Sequence, residues 1–167
     1  MLLAVKPSSP CTGYAVFEDA GSLVEFGRCT HKPGVTCNDR AAITALHLRH
    51  VCKERHISQA VIQTYGGRVR SRIKGAALPV RQADIFATGW LYGELRRCLG
   101  RAVDDVTEKV WTAKLTKRDW IRIAAQRFKL CRCDDEIASE AADAIGIGLW
   151  WFEQQKIENA VVVDSGG

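Results

Sequence analysis

The chain has 167 residues, of which 47% are hydrophobic and 26% charged, with a formal net charge of +5. That length suits one domain with a real core, and the balance of apolar and charged residues argues against wholesale disorder. No run of about 18 uncharged apolar residues occurs, so no membrane span is expected. The short apolar start runs directly into a strand pattern rather than a leader, and a cytoplasmic location is expected. Seven cysteines, at 11, 29, 37, 52, 98, 131 and 133, are odd in number and irregular in spacing, which fits reduced thiols. Cys131 and Cys133 lack a second pair at zinc-site spacing, and His47 and His50 lack evident partners, so no structural zinc is expected. A moderate basic excess fits a polyanionic partner, although the distribution of charge matters more than its sum.

In chain order, strands are read over 2–6, 13–19 and 22–30. Lys6 closes the first. Pro7, Ser8, Ser9 and Pro10 form the turn to the second, which Thr12 and Gly13 open. Asp19-Ala20-Gly21-Ser22 forms a hairpin turn to the third. The first strand is apolar on both faces, as a central strand buried on both sides is. The third alternates apolar and polar residues, as a half-exposed edge does. Asn38 or Asp39 caps a helix running to about Arg55, with Ile43, Leu46 and Val51 among its apolar positions. His47, His50 and His56 fall on or near its solvated side. Ser58 to Tyr65 is a short buried strand, polar at Gln63, that returns parallel to the first through that helix. Its end then lies beside the end of strand one.

A loop occupies 66–82 and carries Arg68, Arg70, Arg72 and Lys74 without an acid. Such a segment suits solvent; it equally suits phosphate contacts and wedging at a distorted duplex. A helix begun by Pro79 runs to about Leu99, with Ile85, Phe86, Trp90, Leu91 and Leu95 as apolar positions. Ala83, Ala87 and Gly89 permit close approach of another helix. Val103 to Thr112 reads as strand five. Thr116 caps the next helix, with Asp119 at its third position, and the helix runs to about Leu130. Its Lys117, Arg118 and Arg122 form a second basic region, either solvated or a track for a second nucleic-acid strand. The last helix opens at Cys133-Asp134-Asp135-Glu136, whose acids suit the helix dipole. Glu140 and Asp143, three residues apart, share one face among small side chains. Two carboxylates there are costly to bury without a cation. Residues 156–167 are expected to be a loosely held tail, which leaves 1–155 as the domain.

Val5-Lys6-Pro7-Ser8-Ser9, followed by Thr12-Gly13-Tyr14, resembles the opening of RuvC-like Holliday junction resolvases, within the RNase H superfamily. Ile62-Gln63 resembles the end of that family's fourth strand, and Glu140-Ala141-Ala142-Asp143-Ala144 its closing helix. The resemblance spans roughly residues 2–152 and rests on the order of these short motifs. It implies an α/β, RNase H-like fold: a mixed five-stranded sheet, its first three strands antiparallel, flanked by helices. It implies branched or four-way DNA as partner, entered by the loop that carries Arg68, Arg70, Arg72 and Lys74, beside which the basic Lys117, Arg118 and Arg122 would extend the contact. It implies a homodimer through the helix that Pro79 begins.

The resemblance also implies a catalytic site of four acids around Mg²⁺ or Mn²⁺ that hydrolyses a phosphodiester. The corresponding positions here are Lys6, Gln63, Glu140 and Asp143. Only the last two carry carboxylates, and they would ligate a metal only with Lys6 and Gln63 restored to acids. A doubly charged ion ~4 Å from an ammonium is repelled by roughly 8 kcal/mol even at an effective dielectric of ~20. The expectation is a fold that binds branched DNA without cutting it, with Lys6 in the metal's place and paired to Glu140 and Asp143. A natural inactive relative and a deliberately disabled enzyme both fit this sequence. The alternative is a non-enzymatic nucleic-acid-binding scaffold of the same fold, which would bind linear and four-way DNA alike. An actin- or sugar-kinase-like ATPase domain opens on similar hairpins. Its usual chain pairs two such domains, and no second phosphate loop of the Asp-x-Gly type occurs here.

Overall fold

The structure is a computed structural model that describes residues 1–8, 11–64, 78–112, 117–128 and 139–164. Three strands open the chain: β1 (Leu2–Lys6), β2 (Cys11–Phe17) and β3 (Leu23–Thr30). Gly21, with φ of 80°, turns β2 into β3, and Glu18 and Ser22 close the hairpin through their backbones. Helix α1 (Cys37–Glu54) then crosses to β4 (Gln59–Thr64), and α2 (Leu78–Leu99) crosses to β5 (Val103–Thr107). A short α3 (Glu108–Trp111), α4 (Lys117–Arg127) and a long α5 (Ser139–Asp164) complete the chain.

The strands form one sheet in the order β3-β2-β1-β4-β5. β1 and β2 run antiparallel, as do β2 and β3, whereas β4 is parallel to β1 and β5 is parallel to β4. Both parallel pairs are joined through a helix, as parallel neighbours require. β1 is the centre: Leu2, Leu3, Ala4 and Val5 are all at most 2% exposed. Its odd residues point one way and its even residues the other. Leu3 and Val5 meet Val16, Leu48, Val51, Ile62, Leu91 and Leu95 on the side covered by α1 and α2. Leu2 and Ala4 meet Phe17, Val61, Val106, Ala144, Ile145 and Ile147 on the side covered by α5.

Several local readings of the sequence change. Thr36 caps α1, its hydroxyl oxygen accepting from the Asp39 amide at 3.2 Å, so Asn38 and Asp39 lie inside the helix. The buried face of α1 is Ala41, Thr44, Ala45, Leu48, Val51 and Cys52, whereas Ile43 and Leu46 are exposed. On α2, Leu91 and Leu95 enter the core, while Ile85, Phe86 and Trp90 remain about two-fifths exposed (39%, 41% and 42%). β5 stops at Thr107 rather than continuing to Thr112. The helical turn of α3 carries Trp111 into the core and leaves Val110 in solvent. α5 continues through Lys156 to Asp164, where a loose tail was expected. The cap at Thr116 and the acidic start at Cys133 to Glu136 lie outside the described residues. Among the described residues, no helix is long and apolar enough to cross a membrane.

Candidate functional site at the ends of the central strands

Lys6 is the last residue of β1 and continues the face of Leu2 and Ala4. Gln63 continues the face of Val61 on β4. The parallel register, with Val5 opposite Ile62, sets Lys6 and Gln63 side by side at the strand ends, both turned to the α5 layer. On the other flank, Lys6 pairs with Gly13 of β2. A Cβ added to Gly13 would collide with the backbone carbonyl of Glu140. Glycine is therefore what lets the first turn of α5 lie directly on the sheet here. Lys6, Gln63 and the backbone of Glu140 thus lie at one end of the β1–β4 pair. Lys6 and Gln63 rise from the sheet, and the first turn of α5 brings Glu140 and Asp143.

The side chains differ in how they are held. Asp143 is 2% exposed and Gln63 is 3% exposed, whereas Lys6 and Glu140 are half-buried. The Trp111 indole N–H donates to Gln63 Oε1 at 3.0 Å, in a fully buried bond. Among the described residues, no hydrogen bond or ion pair joins Lys6 to Glu140 or Asp143. Beyond Gly13, Cys11 and Arg28 complete the rim. Burial pushes the Cys11 thiol up first; the Glu140 carboxylate pushes it further and Arg28 opposes it. Glu140 and Arg28 are therefore close enough to act on the same group.

The turn after Lys6 is tied from the other face of the sheet. Buried Thr12 donates its hydroxyl to the Ser8 carbonyl at 3.2 Å. Tyr14 donates to Glu25, which also accepts from Arg55 beyond α1, at 3.0 and 2.9 Å. In the same region His31 Nε2 lies 3.0 Å from Thr44 Oγ1. Burial lowers the His31 pKa and the Arg40 charge lowers it further. His47, His50 and His56 are exposed, as expected.

Of the basic residues, Arg122 is exposed and pairs with Asp119 at 3.3 Å. Lys117 and Arg118 form the first turn of α4. Arg68, Arg70, Arg72 and Lys74 lie outside the described residues. Trp111 and Arg28 are site residues that sequence reading missed. By pattern Trp111 belongs to a strand, and Arg28 is one polar step of an alternating edge.

The donor set differs from that of a divalent-metal site. One ammonium, one amide and two carboxylates leave a formal charge of minus one. Among the described residues, no group of three or more histidine, cysteine or acidic side chains is placed to hold a metal ion. Divalent magnesium needs oxygen ligands in near-octahedral array, and an ammonium at one corner repels it. Among the described residues, these four side chains do not fit that ion.

Neither a protein-family model nor a curated protein matches the sequence. Solved structures do match. RuvC of Thermus thermophilus in complex with a Holliday junction substrate aligns at a TM-score of 0.65 and 15% identity, covering 89% of this chain and 90% of that one. RuvC of the same organism alone aligns at 0.62 and 14% identity, covering 89% and 91%. The yeast mitochondrial Holliday junction resolvase aligns at 0.55 and 14% identity, covering 95% and 81%. The strand order, the mixed directions and these alignments establish that the chain has the fold of the RuvC-like Holliday junction resolvases.

Proposed function

We propose that this protein binds branched, four-way DNA through the open end of its β1–β4 pair and leaves it uncut. The observation that supports the reading is the register that sets Lys6 beside Gln63, with the Glu140 backbone lying against Gly13, in this fold. The place suits a nuclease; the side chains do not. Hydrolysis through two bridging ions needs several carboxylates, and two of the four positions lack them. What remains suited to DNA is the set of basic residues. Arg68, Arg70, Arg72 and Lys74 follow β4 directly in sequence, and Lys117, Arg118 and Arg122 are carried by α4. Such residues position a phosphate backbone and make affinity salt-dependent.

The protein acts as a homodimer in this reading. α2 exposes Ile85, Phe86 and Trp90, and the Phe86 and Trp90 rings lie 5.7 Å apart. A second copy covering that stripe would remove it from water and set two DNA-binding ends in one particle. A four-way junction has the matching two-fold character. Sedimentation should give a dimer, and Trp90→Glu should give a monomer.

A mobility-shift assay tests the main reading. Labelled four-way junction and linear duplex of the same arm sequence are compared with and without Mg²⁺. The junction should bind at least tenfold more tightly, and it should remain intact. Equal affinity for the two DNAs would support the scaffold alternative. Cutting by the unaltered chain would overturn the inactive assignment.

A further inference from the structure

The indole N–H of Trp111 can only donate. The group of Gln63 that faces it is therefore the amide oxygen, and the NH₂ faces away. Trp111 follows β5, on one flank of β4, and Lys6 closes β1, on the other flank. Among the described residues, no ion pair or hydrogen bond occupies the Lys6 ammonium. We infer that the strand ends form a direct phosphate-binding site: one backbone phosphodiester of bound DNA accepts hydrogen bonds from Lys6 Nζ and Gln63 Nε2, with no cation between.

Charge and donor chemistry carry this. Four acids would repel a phosphate and admit it only through cations. Among the described residues, Lys6, Gln63, Glu140 and Asp143 sum to a formal charge of minus one rather than the minus four of four acids. A monoanionic phosphodiester therefore meets far less repulsion than four acids would give, and Lys6 and Gln63 supply an ammonium and an amide N–H₂ as donors. Hydrogen bonds from charged donors to phosphate oxygens are among the strong ones. The replacements at 6 and 63 therefore change one site from cation-holding to anion-holding, rather than merely removing catalysis. The inference rests on the proposed binding of four-way DNA.

The test is junction binding in EDTA with three chains: wild type, Lys6→Ala and Gln63→Glu. Gln63→Glu keeps an oxygen for Trp111 and removes the NH₂ donor, so it is the variant least able to disturb the fold. Thermal melting checks that each variant is folded. Wild-type affinity should change less than twofold between Mg²⁺ and EDTA. Both variants should bind about tenfold more weakly in EDTA, and Lys6→Ala should lower the salt slope by about one. Neutral methylphosphonates at the phosphates flanking the exchange point should weaken the wild type but not Lys6→Ala. Folded variants that bind in EDTA as tightly as the wild type would overturn the phosphate site while leaving junction binding intact. A wild type that does not bind the junction would overturn the functional reading and this inference with it.

Discussion

The two faces of the central strand obey different rules. Toward α1 and α2, β1 presents Leu3 and Val5, closed over by Leu48, Val51, Leu91 and Leu95. Toward α5, it presents Leu2, Ala4 and then Lys6, with Ala15 and Gly13 beside them on β2. The first face grows no smaller and no more polar along the strand. The second shrinks to let a helix approach, then becomes polar where that helix begins. One strand of five residues thus anchors a core on one side and ends in a site on the other. Stability and function can then be perturbed separately, by face.

The largest expected loss of stability is on the closed face. Leu91→Ala, at a residue 1% exposed, should cost about 2–5 kcal/mol in urea unfolding. The folded fraction should still bind the junction normally. Gly13→Ala acts on the other face. Its new Cβ meets the Glu140 carbonyl, so α5 must shift, at about 1–3 kcal/mol. That variant should also lose junction affinity per folded molecule. The pair sharpens the comparison if only Gly13→Ala affects binding, and breaks it if Leu91→Ala does so equally.

Trp111→Phe removes the donor to Gln63 and leaves a buried amide oxygen unpaired, at about 1–3 kcal/mol. Adding Gln63→Leu should recover much of that loss, because both polar partners are then gone. A double-mutant cycle by chemical denaturation measures the coupling.

The smallest effect is alkaline. Burial pushes the Cys29 thiol from 9.0 to about 12 and the Cys52 thiol to about 11. Burial and the Glu25 bond push the Tyr14 phenol from 10.0 to about 12. All three lie on the closed face. In the unfolded chain these groups lose their protons at the lower values, while the folded chain retains them. Their contribution is therefore complete below about pH 9 and declines as pH rises toward 11–12. Denaturation midpoints from pH 8 to 10.5 should show that decline. Cys29 and Cys52 should resist alkylation at pH 8, whereas exposed Cys98 should react.

Much of this architecture was readable from pattern. The buried run at 2–5, the Gly21 hairpin and the parallel return through α1 follow from local chemistry, and the first three strands are antiparallel as expected. The convergence of Lys6 and Gln63 followed from register: two parallel strands that start together end together. The misreadings have physical causes. Periodicity at three and four also connects Ile43 and Leu46, but the sheet is reached by the smaller face of Ala41, Thr44 and Ala45. On α2, apolar spacing could not distinguish a residue facing the sheet from one facing outward, as Leu91 and Trp90 show. Val103 to Thr112 has strand composition throughout. The strand nevertheless stops at Thr107, and the turn that follows brings Trp111 to Gln63, a contact 48 residues apart. No local signal carries such a pairing. Arg28 became relevant only when β3 was set opposite Gly13.

The central claim is that a nuclease-type site has been altered at two strand ends and is otherwise in place. The direct measurement is cleavage of a labelled four-way junction with Mg²⁺ or Mn²⁺ by the wild type and by Lys6→Asp/Gln63→Glu. The account predicts symmetric nicks from the double variant and intact DNA from the wild type. A double variant that is folded, binds the junction and still does not cut would contradict it.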